Sequence, residues 1–335
     1  MFLYLNYPSW ITPEIFPNVK FLSLLRWYGL MYVFAFVTAY FILKKVTKEG
    51  ALDNGKYKAT EDDLFSFIGT GILFLLIGAR VASTLIYQRY DPSDPASINY
   101  WTHPWLIFWP FDKQMHFTGF AGMSYHGGFV GGLLGMIIWC KKHKQPIAKW
   151  VDAMVCGIPL GFTFGRIGNF LNGELYGRIT TMPWGMTFNV PYSERFSPAE
   201  QWVQDFAAKI NMDISTLNFV NFPRHPSQLY EAFFEGIVLW LIIWLLRKHK
   251  KFDGMLGCIY TFGYGLFRFV IEYFRKPDTE IGYVIAKDSS APIYTNTSLL
   301  NISTGQILCF LMILGSIAAY IILWRKSLKA ADNKA

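Results

Sequence analysis

Apolar residues along this chain gather into runs of about twenty, separated by stretches where Lys, Asp, Pro and Asn recur. The runs lie at 21–43, 64–87, 119–140, 150–170, 226–246, 254–274 and 304–324. Each is long enough, as a helix, to cross a bilayer core of roughly 30 Å. None carries the continuous polar face of a helix on a soluble protein. The pattern predicts an all-α polytopic membrane protein with seven transmembrane helices, a single integral membrane domain over 1–335. Residues 1–20 hold Pro8, Pro13 and Pro17 and no basic n-region, so they predict an interfacial segment, with Trp10 at headgroup level, rather than a cleavable signal. The Pro-, Trp- and Asp-rich segment 88–118 is too short in its apolar part to span and predicts an interfacial or re-entrant piece. Residues 177–225 are mixed polar, include an amphipathic stretch at 199–210, and predict a small extracytoplasmic cap.

Charge sets the orientation. The loops 44–63, 141–149, 247–251 and the tail 325–335 together hold 17 Lys and Arg, and the longer segments on the other side hold 10. Basic residues favour the cytoplasmic side, which predicts N-out, C-in. The net charge of +8 therefore belongs to membrane topology and not to nucleic-acid binding. Only 16% of the 335 residues are charged, well under the share in soluble domains. Cys140, Cys156, Cys258 and Cys309 all sit in apolar runs without CxxC spacing and read as packing residues. The six histidines lack metal-ligand spacing, and no phosphate-binding GxxxxGK[ST] loop is present, so neither a metal nor any other cofactor is expected.

Against this apolar ground one stretch stands out: Gly165-Arg166-Ile167-Gly168-Asn169-Phe170-Leu171-Asn172-Gly173-Glu174-Leu175-Tyr176-Gly177-Arg178. It follows directly on the fourth apolar run. Charges at membrane depth are costly and usually face a protein interior or a wet cavity. Arg166, Asn169 and Gly173 share one helical face, and the glycines allow tight turns and close backbone approach. In the N-out orientation, further polar residues fall near the outer ends of other spans: Arg26 and Tyr28, Arg80, His126, Tyr230 and Glu231, Arg268 and Glu272. Arginines merely reaching for the interface would appear at both ends of helices. One polar cavity in the outer half of the membrane is expected, suited by its arginine forks to a phosphate, most simply a phospholipid headgroup. Glu272, four residues after Arg268, reads as an arginine partner there or as part of a purely structural ion pair. His126, among glycines, reads as a proton acceptor or as a packing residue. His225, Ser227 and Gln228 read either as a helix N-cap device or as part of the site.

The fourteen-residue stretch resembles the signature of the bacterial prolipoprotein diacylglyceryl transferases. Arg26-Trp27-Tyr28-Gly29, Tyr125-His126-Gly127-Gly128, His225-Pro226-Ser227-Gln228-Leu229-Tyr230-Glu231 and the block from Arg268 to Asp278 resemble that family's other blocks, in the same order. The resemblance implies an enzyme of the bacterial cytoplasmic (inner) membrane. It would transfer the diacylglyceryl group of phosphatidylglycerol to the lipobox cysteine thiol of a preprolipoprotein signal peptide, forming a thioether and releasing glycerol phosphate. Arg166 and Arg268 would take the phosphate and His126 would be the base, unless an arginine field alone lowers the thiol pKa. Tyr28, Asn169, Glu174, Tyr264 and Glu272 would orient the headgroup and the arginines, and Arg26, Asn172 and Tyr230 would line the substrate site. The nucleophile is then the substrate's sulfur, which accounts for cysteines that look inert. Two other classes stay open: a different outer-leaflet phospholipid transferase, against which stands the absence of an Asp-rich metal motif in the spans, and a non-catalytic lipid or anion transporter, which would carry polar residues through to both faces.

Overall fold

The computed structural model describes residues 4–17, 19, 25–88, 90–93, 97–111, 115, 122–276, 282–287 and 292–332. The start of the first expected span, the start of the third, and the last two residues of the block ending at Asp278 lie outside them. The described chain is mostly helical, and its contacts gather into two units: residues 1–42 with 154–335, and residues 43–153.

Four described helices are long and apolar enough to cross a membrane: α1 (Trp27–Lys48), α2 (Glu61–Ala82, continued by a wide turn to Tyr87), α7 (Ser227–His249) and α9 (Thr304–Asp332). A bent pair, α4 (Ile147–Val155) and α5 (Ile158–Leu171), meets at 47° and would make a fifth. The fourth expected span is thus broken. Pro159 in the first turn of α5 supplies the reason: it lacks an N–H and its ring crowds the carbonyl four residues back, so the helix restarts there. Met255–Ile271 (α8) is apolar but shorter, and Tyr125–Lys142 (α3) is rich in glycine.

In the unit of residues 43–153, α3 packs on α2 through glycine. A Cβ at Gly127 or Gly131 would strike the backbone carbonyl of Gly78 or Phe74, and one at Gly135 would strike Thr70 and Phe74. Small residues every fourth position let two helix backbones touch, the usual device for helix pairs in lipid. The glycines after His126 therefore serve helix packing. Phe67, Trp139 and Trp150 close the far end as a buried ring cluster. The segment after α2 contributes one 3-10 turn, Pro104–Phe108.

In the other unit, α5 packs against α1, where Gly157 and Gly161 face Ala39 and Ala35. It also packs against α7, where Thr163 Oγ1 donates to the Ala232 carbonyl at 3.2 Å and a Cβ at Gly236 would collide with Thr163. The polar insert between α5 and α7 folds around the amphipathic helix α6 (Gln201–Lys209), whose Val203, Phe206 and Ala207 join Phe196, Val220 and Phe222 in a buried core. Strand β1 (Leu5–Asn6) pairs in parallel with β2 (Met186–Thr187), and β3 (Tyr283–Ile285) pairs antiparallel with β4 (Ile302–Ser303) at the start of α9.

Candidate active site

The signature forms the end of α5 and the turn after it. Gly173 (φ +65°) and Leu175 (φ +56°) both take left-handed backbone, and the Glu174 N–H bonds back to the Asn169 carbonyl at 3.1 Å. Glycine adopts that geometry without cost, whereas Leu175 pays steric strain for it. The turn swings the Glu174 side chain onto the helix it has just left: Asn169 Nδ2 donates to Glu174 Oε1 at 2.9 Å, and Asn172 Nδ2 at 3.3 Å. Asn169, now held by Glu174, accepts from Arg166 Nη1 at 3.2 Å. Tyr7 Oη donates to the carbonyls of Phe170 and Leu171, tying down the same helix end. Ser227 Oγ donates to the Leu175 carbonyl and Gln228 Nε2 to the Glu174 carbonyl. These two side chains clamp the signature turn and do not cap α7, whose N-terminal residue Pro226 makes no side-chain cap bond.

Glu231 is the centre of the site. It is fully buried on α7, and its Oε2 lies 2.9 Å from Arg166 Nε and 2.6 Å from Arg268 Nη1. One carboxylate oxygen thus joins two arginines from helices about a hundred residues apart in the sequence. Arg275 Nε approaches the other oxygen, Oε1, at 3.7 Å. Glu272 lies 3.7 Å from Arg268 Nε and 3.6 Å from Arg275 Nη1, and accepts from Ser303 Oγ at 3.1 Å. Glu235, one turn after Glu231 and also fully buried, meets Arg268 Nη1 at 3.7 Å. Among the described residues, Nη2 of neither Arg166 nor Arg268 donates a hydrogen bond. The carboxylates therefore hold the two guanidinium groups while leaving donors of each for a ligand, and the cluster gathers three arginines and three glutamates. Desolvated charge survives only when paired in this way. Tyr264 rests edge-on against Phe162, 5.8 Å between centroids, and Phe162 lies 4.7 Å beneath the Arg166 guanidinium.

Of the residues picked out from the sequence, the structure brings together Arg166, Asn169, Asn172, Glu174, Tyr264, Arg268 and Glu272. Tyr28 packs its ring near Gly168, where a Cβ would come within 3.2 Å of Tyr28 Cδ2, and its hydroxyl meets Tyr32 at 3.0 Å. Arg26 is exposed and bridges Glu14 through backbone. Tyr230 turns to a chain of its own: Trp184 Nε1 donates to Tyr230 Oη at 2.7 Å, and that hydroxyl lies 3.1 Å from His225 Nδ1. Burial, with Arg178 nearby, holds the His225 imidazole down to about 4, so it is neutral and can accept a hydrogen bond from the Tyr230 hydroxyl. His126 and Arg80 belong to the unit of residues 43–153. There His126 Nδ1 lies 3.1 Å from Tyr87 Oη, and Arg80 Nε donates to the Ile107 carbonyl at 2.6 Å. Among the described residues no group of three or more His, Cys, Asp or Glu side chains is placed to hold a metal ion.

Glu231 was among the polar residues expected in the cavity but was given no role there, and two further members of the cluster, Glu235 and Arg275, were absent from the expected site. The two glutamates carried a legible signal, since they stand four apart in an apolar run where an unpaired carboxylate is prohibitive. Arg275 sits in a loop after α8 and had no such signal.

Comparison with known proteins places this arrangement in a context. The sequence model described as prolipoprotein diacylglyceryl transferase matches residues 17–322. The phosphatidylglycerol–prolipoprotein diacylglyceryl transferase of Treponema denticola is 54% identical over 344 residues, covering 100% of this chain and 98% of its own. Its counterpart in Treponema pallidum is 49% identical over 317 residues, covering 93% and 92%. That of Borrelia garinii subsp. bavariensis is 37% identical over 341 residues, covering 99% and 96%.

Proposed function

Because this chain belongs to the prolipoprotein diacylglyceryl transferase family, we propose that it moves the diacylglyceryl group of phosphatidylglycerol to the lipobox cysteine of a preprolipoprotein, with Arg166 and Arg268 gripping the phosphate. The chain is a transferase of lipoprotein biosynthesis and a membrane protein with several apolar helices. One observation carries the assignment of the clamp: two arginines from different helices share one buried carboxylate oxygen and keep further donors uncommitted.

The chemistry follows from the charges. The thiol sulfur attacks the glyceryl carbon that bears the phosphate ester, a C–S bond forms, and the C–O bond breaks. The electron pair goes to the phosphate oxygen, so glycerol phosphate leaves with added negative charge, and the thiol proton passes to a base. Preorganised guanidinium donors stabilise that growing charge without reorganising at the moment of reaction. Asn169 and Glu174 keep Arg166 in its rotamer, and Tyr264, edge-on to Phe162, backs the ring that lies beneath the Arg166 guanidinium. Glu272 orients Arg268, while Tyr28, Arg26, Asn172 and Tyr230 border the substrate. His126 is the base. The protein sits in the bacterial cytoplasmic membrane with seven spans, the N-terminus and the 177–225 cap outside and the C-terminus inside, an orientation supported by the 17 to 10 asymmetry of Lys and Arg.

The test is incubation of the purified protein in phosphatidylglycerol vesicles with a lipobox peptide. A peptide carrying a diacylglyceryl thioether, with equimolar glycerol phosphate, is expected. Lipid movement without a new covalent product would mean a transporter instead. His126→Asn should be slow at neutral pH and recover in part as pH approaches the thiol pKa of about 8.5; a rate that stays low and flat with pH removes the base. Reporter fusions near Arg195 should read outside, and an inside signal there would overturn the orientation.

A further inference from the structure

Glu235 is a buried acid without an evident use. It is completely buried, and neither of its carboxylate oxygens accepts a hydrogen bond. Within 4 Å its one ion-pair contact among the described residues is Arg268 Nη1, at 3.7 Å, beyond hydrogen-bond range, with Arg166 and Arg275 farther off. A desolvated carboxylate in that condition is expensive, and buried polar groups are nearly always bonded. Such a group makes physical sense if its bond is formed at another stage of the cycle.

The partners of the two clamp arginines show which stage. Apart from Glu231, Arg166 is bonded only to the neutral Asn169. Arg268 has two further carboxylates in reach, Glu272 at Nε and Glu235 at Nη1. Glu272 is also engaged by Ser303 and Arg275, whereas among the described residues Glu235 has, within 4 Å, only Arg268. A phosphate taken up on the free Nη2 donors completes a two-bond fork with a second nitrogen of each arginine, and for those nitrogens it competes with Glu231. When Arg268 Nη1 loses Glu231, the carboxylate standing next to that same nitrogen is Glu235. The wide-turn geometry of residues Ala232–Val238 places it there, one turn along α7; such turns often mark functional positions in helices.

We propose that Glu235 is a positioning residue, the second carboxylate anchor that keeps Arg268 fixed in the clamp while phosphate displaces Glu231. Arg268 is then the fixed jaw and Arg166, with no second acid within 4 Å among the described residues, the yielding one. This rests on the phosphate-clamp reading given above.

The experiment measures kcat and KM for phosphatidylglycerol in thioether formation on the full chain. Glu235→Gln keeps the shape and removes the charge. A charge-assisted bond lost in the transition state predicts a fall in kcat of about 10- to 100-fold, with KM moving less than about threefold. A residue that only fills space would give wild-type kinetics with Gln. The loss should persist in full in an Arg166→Lys background and shrink below about threefold in an Arg268→Lys background, since residues acting through one contact are not additive. If the Gln variant fails to fold, Glu235→Asp, which keeps the charge but withdraws it by one methylene, is read in the same two backgrounds. Wild-type kcat for Glu235→Gln, or equal losses in both backgrounds, would overturn the anchor. A wild-type protein that forms no thioether overturns the function itself, and Arg→Lys variants at full rate overturn the clamp; both outcomes are separate from a silent Glu235 in an active, clamp-dependent enzyme.

Discussion

Within the unit of residues 1–42 and 154–335, arginines at two places are largely withdrawn from solvent and are satisfied in two ways. At the helix ends, Arg166 and Arg268 are held by carboxylates, at 2.9 Å and 2.6 Å from Glu231. In the cap, Arg178 and Arg224 are held by backbone carbonyls and aromatic rings. Arg178 Nε donates to the Arg275 carbonyl at 2.8 Å and its Nη1 to the Thr295 carbonyl at 3.1 Å and to Tyr283 Oη. Arg224, fully buried, donates Nη2 to the Glu194 carbonyl at 3.2 Å and lies 4.9 Å, 5.4 Å and 5.9 Å from the rings of Tyr176, Phe196 and Tyr294. Carboxylates can be exchanged for another anion, because phosphate offers the same charge and the same fork geometry. Rings and carbonyls cannot, so the cap arginines are committed to the fold. An arginine's type of partner, more than its burial, separates one that can work from one that builds.

That contrast can be broken most sharply at the clamp. Arg166→Lys and Arg268→Lys keep the charge and lose the fork, so transfer should slow by about 100- to 1000-fold with protein abundance unchanged. Near wild-type rates for both variants in the thioether assay would erase the distinction. In the cap the expected effect is on stability. Arg224→Ala removes a large buried side chain and should destabilise the cap by about 3 kcal/mol. Amide exchange over residues 186–222 should speed by about 100-fold, while kcat per folded molecule stays within about threefold. A collapse of kcat with unchanged exchange would move Arg224 into the chemistry. The effect confined to acid pH concerns His225 at the border of the two regions. Its imidazole is held down to about 4 from 6.5, so below pH 6.5 the unfolded state takes up a proton that the folded state refuses. Stability should therefore fall as pH drops from 6.5 towards 4, by at most about 1.4 kcal/mol per pH unit, and be flat in this contribution above 6.5. Thermal unfolding of His225→Asn should lack that acid slope; an unchanged slope would locate the titrating group elsewhere.

Much of this protein was legible before any coordinates. Runs of about twenty apolar residues leave few alternatives to membrane helices, because unpaired backbone groups are intolerable in lipid. The signature's Arg166, Asn169 and Glu174 stood out because charged residues in such runs need a partner or a ligand. The glycines of the signature marked a place where tight turns are allowed, and Gly173 takes left-handed backbone there. The tertiary structure alone decided how the charges pair. That Arg166 and Arg268 meet on one oxygen of Glu231, and that Ser227 and Gln228 clamp the signature turn instead of capping α7, depends on how α5, α7 and α8 pack. A sequence sets local geometry through the short range of backbone sterics. An ion pair changes identity over an ångström or two, and that distance is set by side-chain packing between helices far apart in the chain.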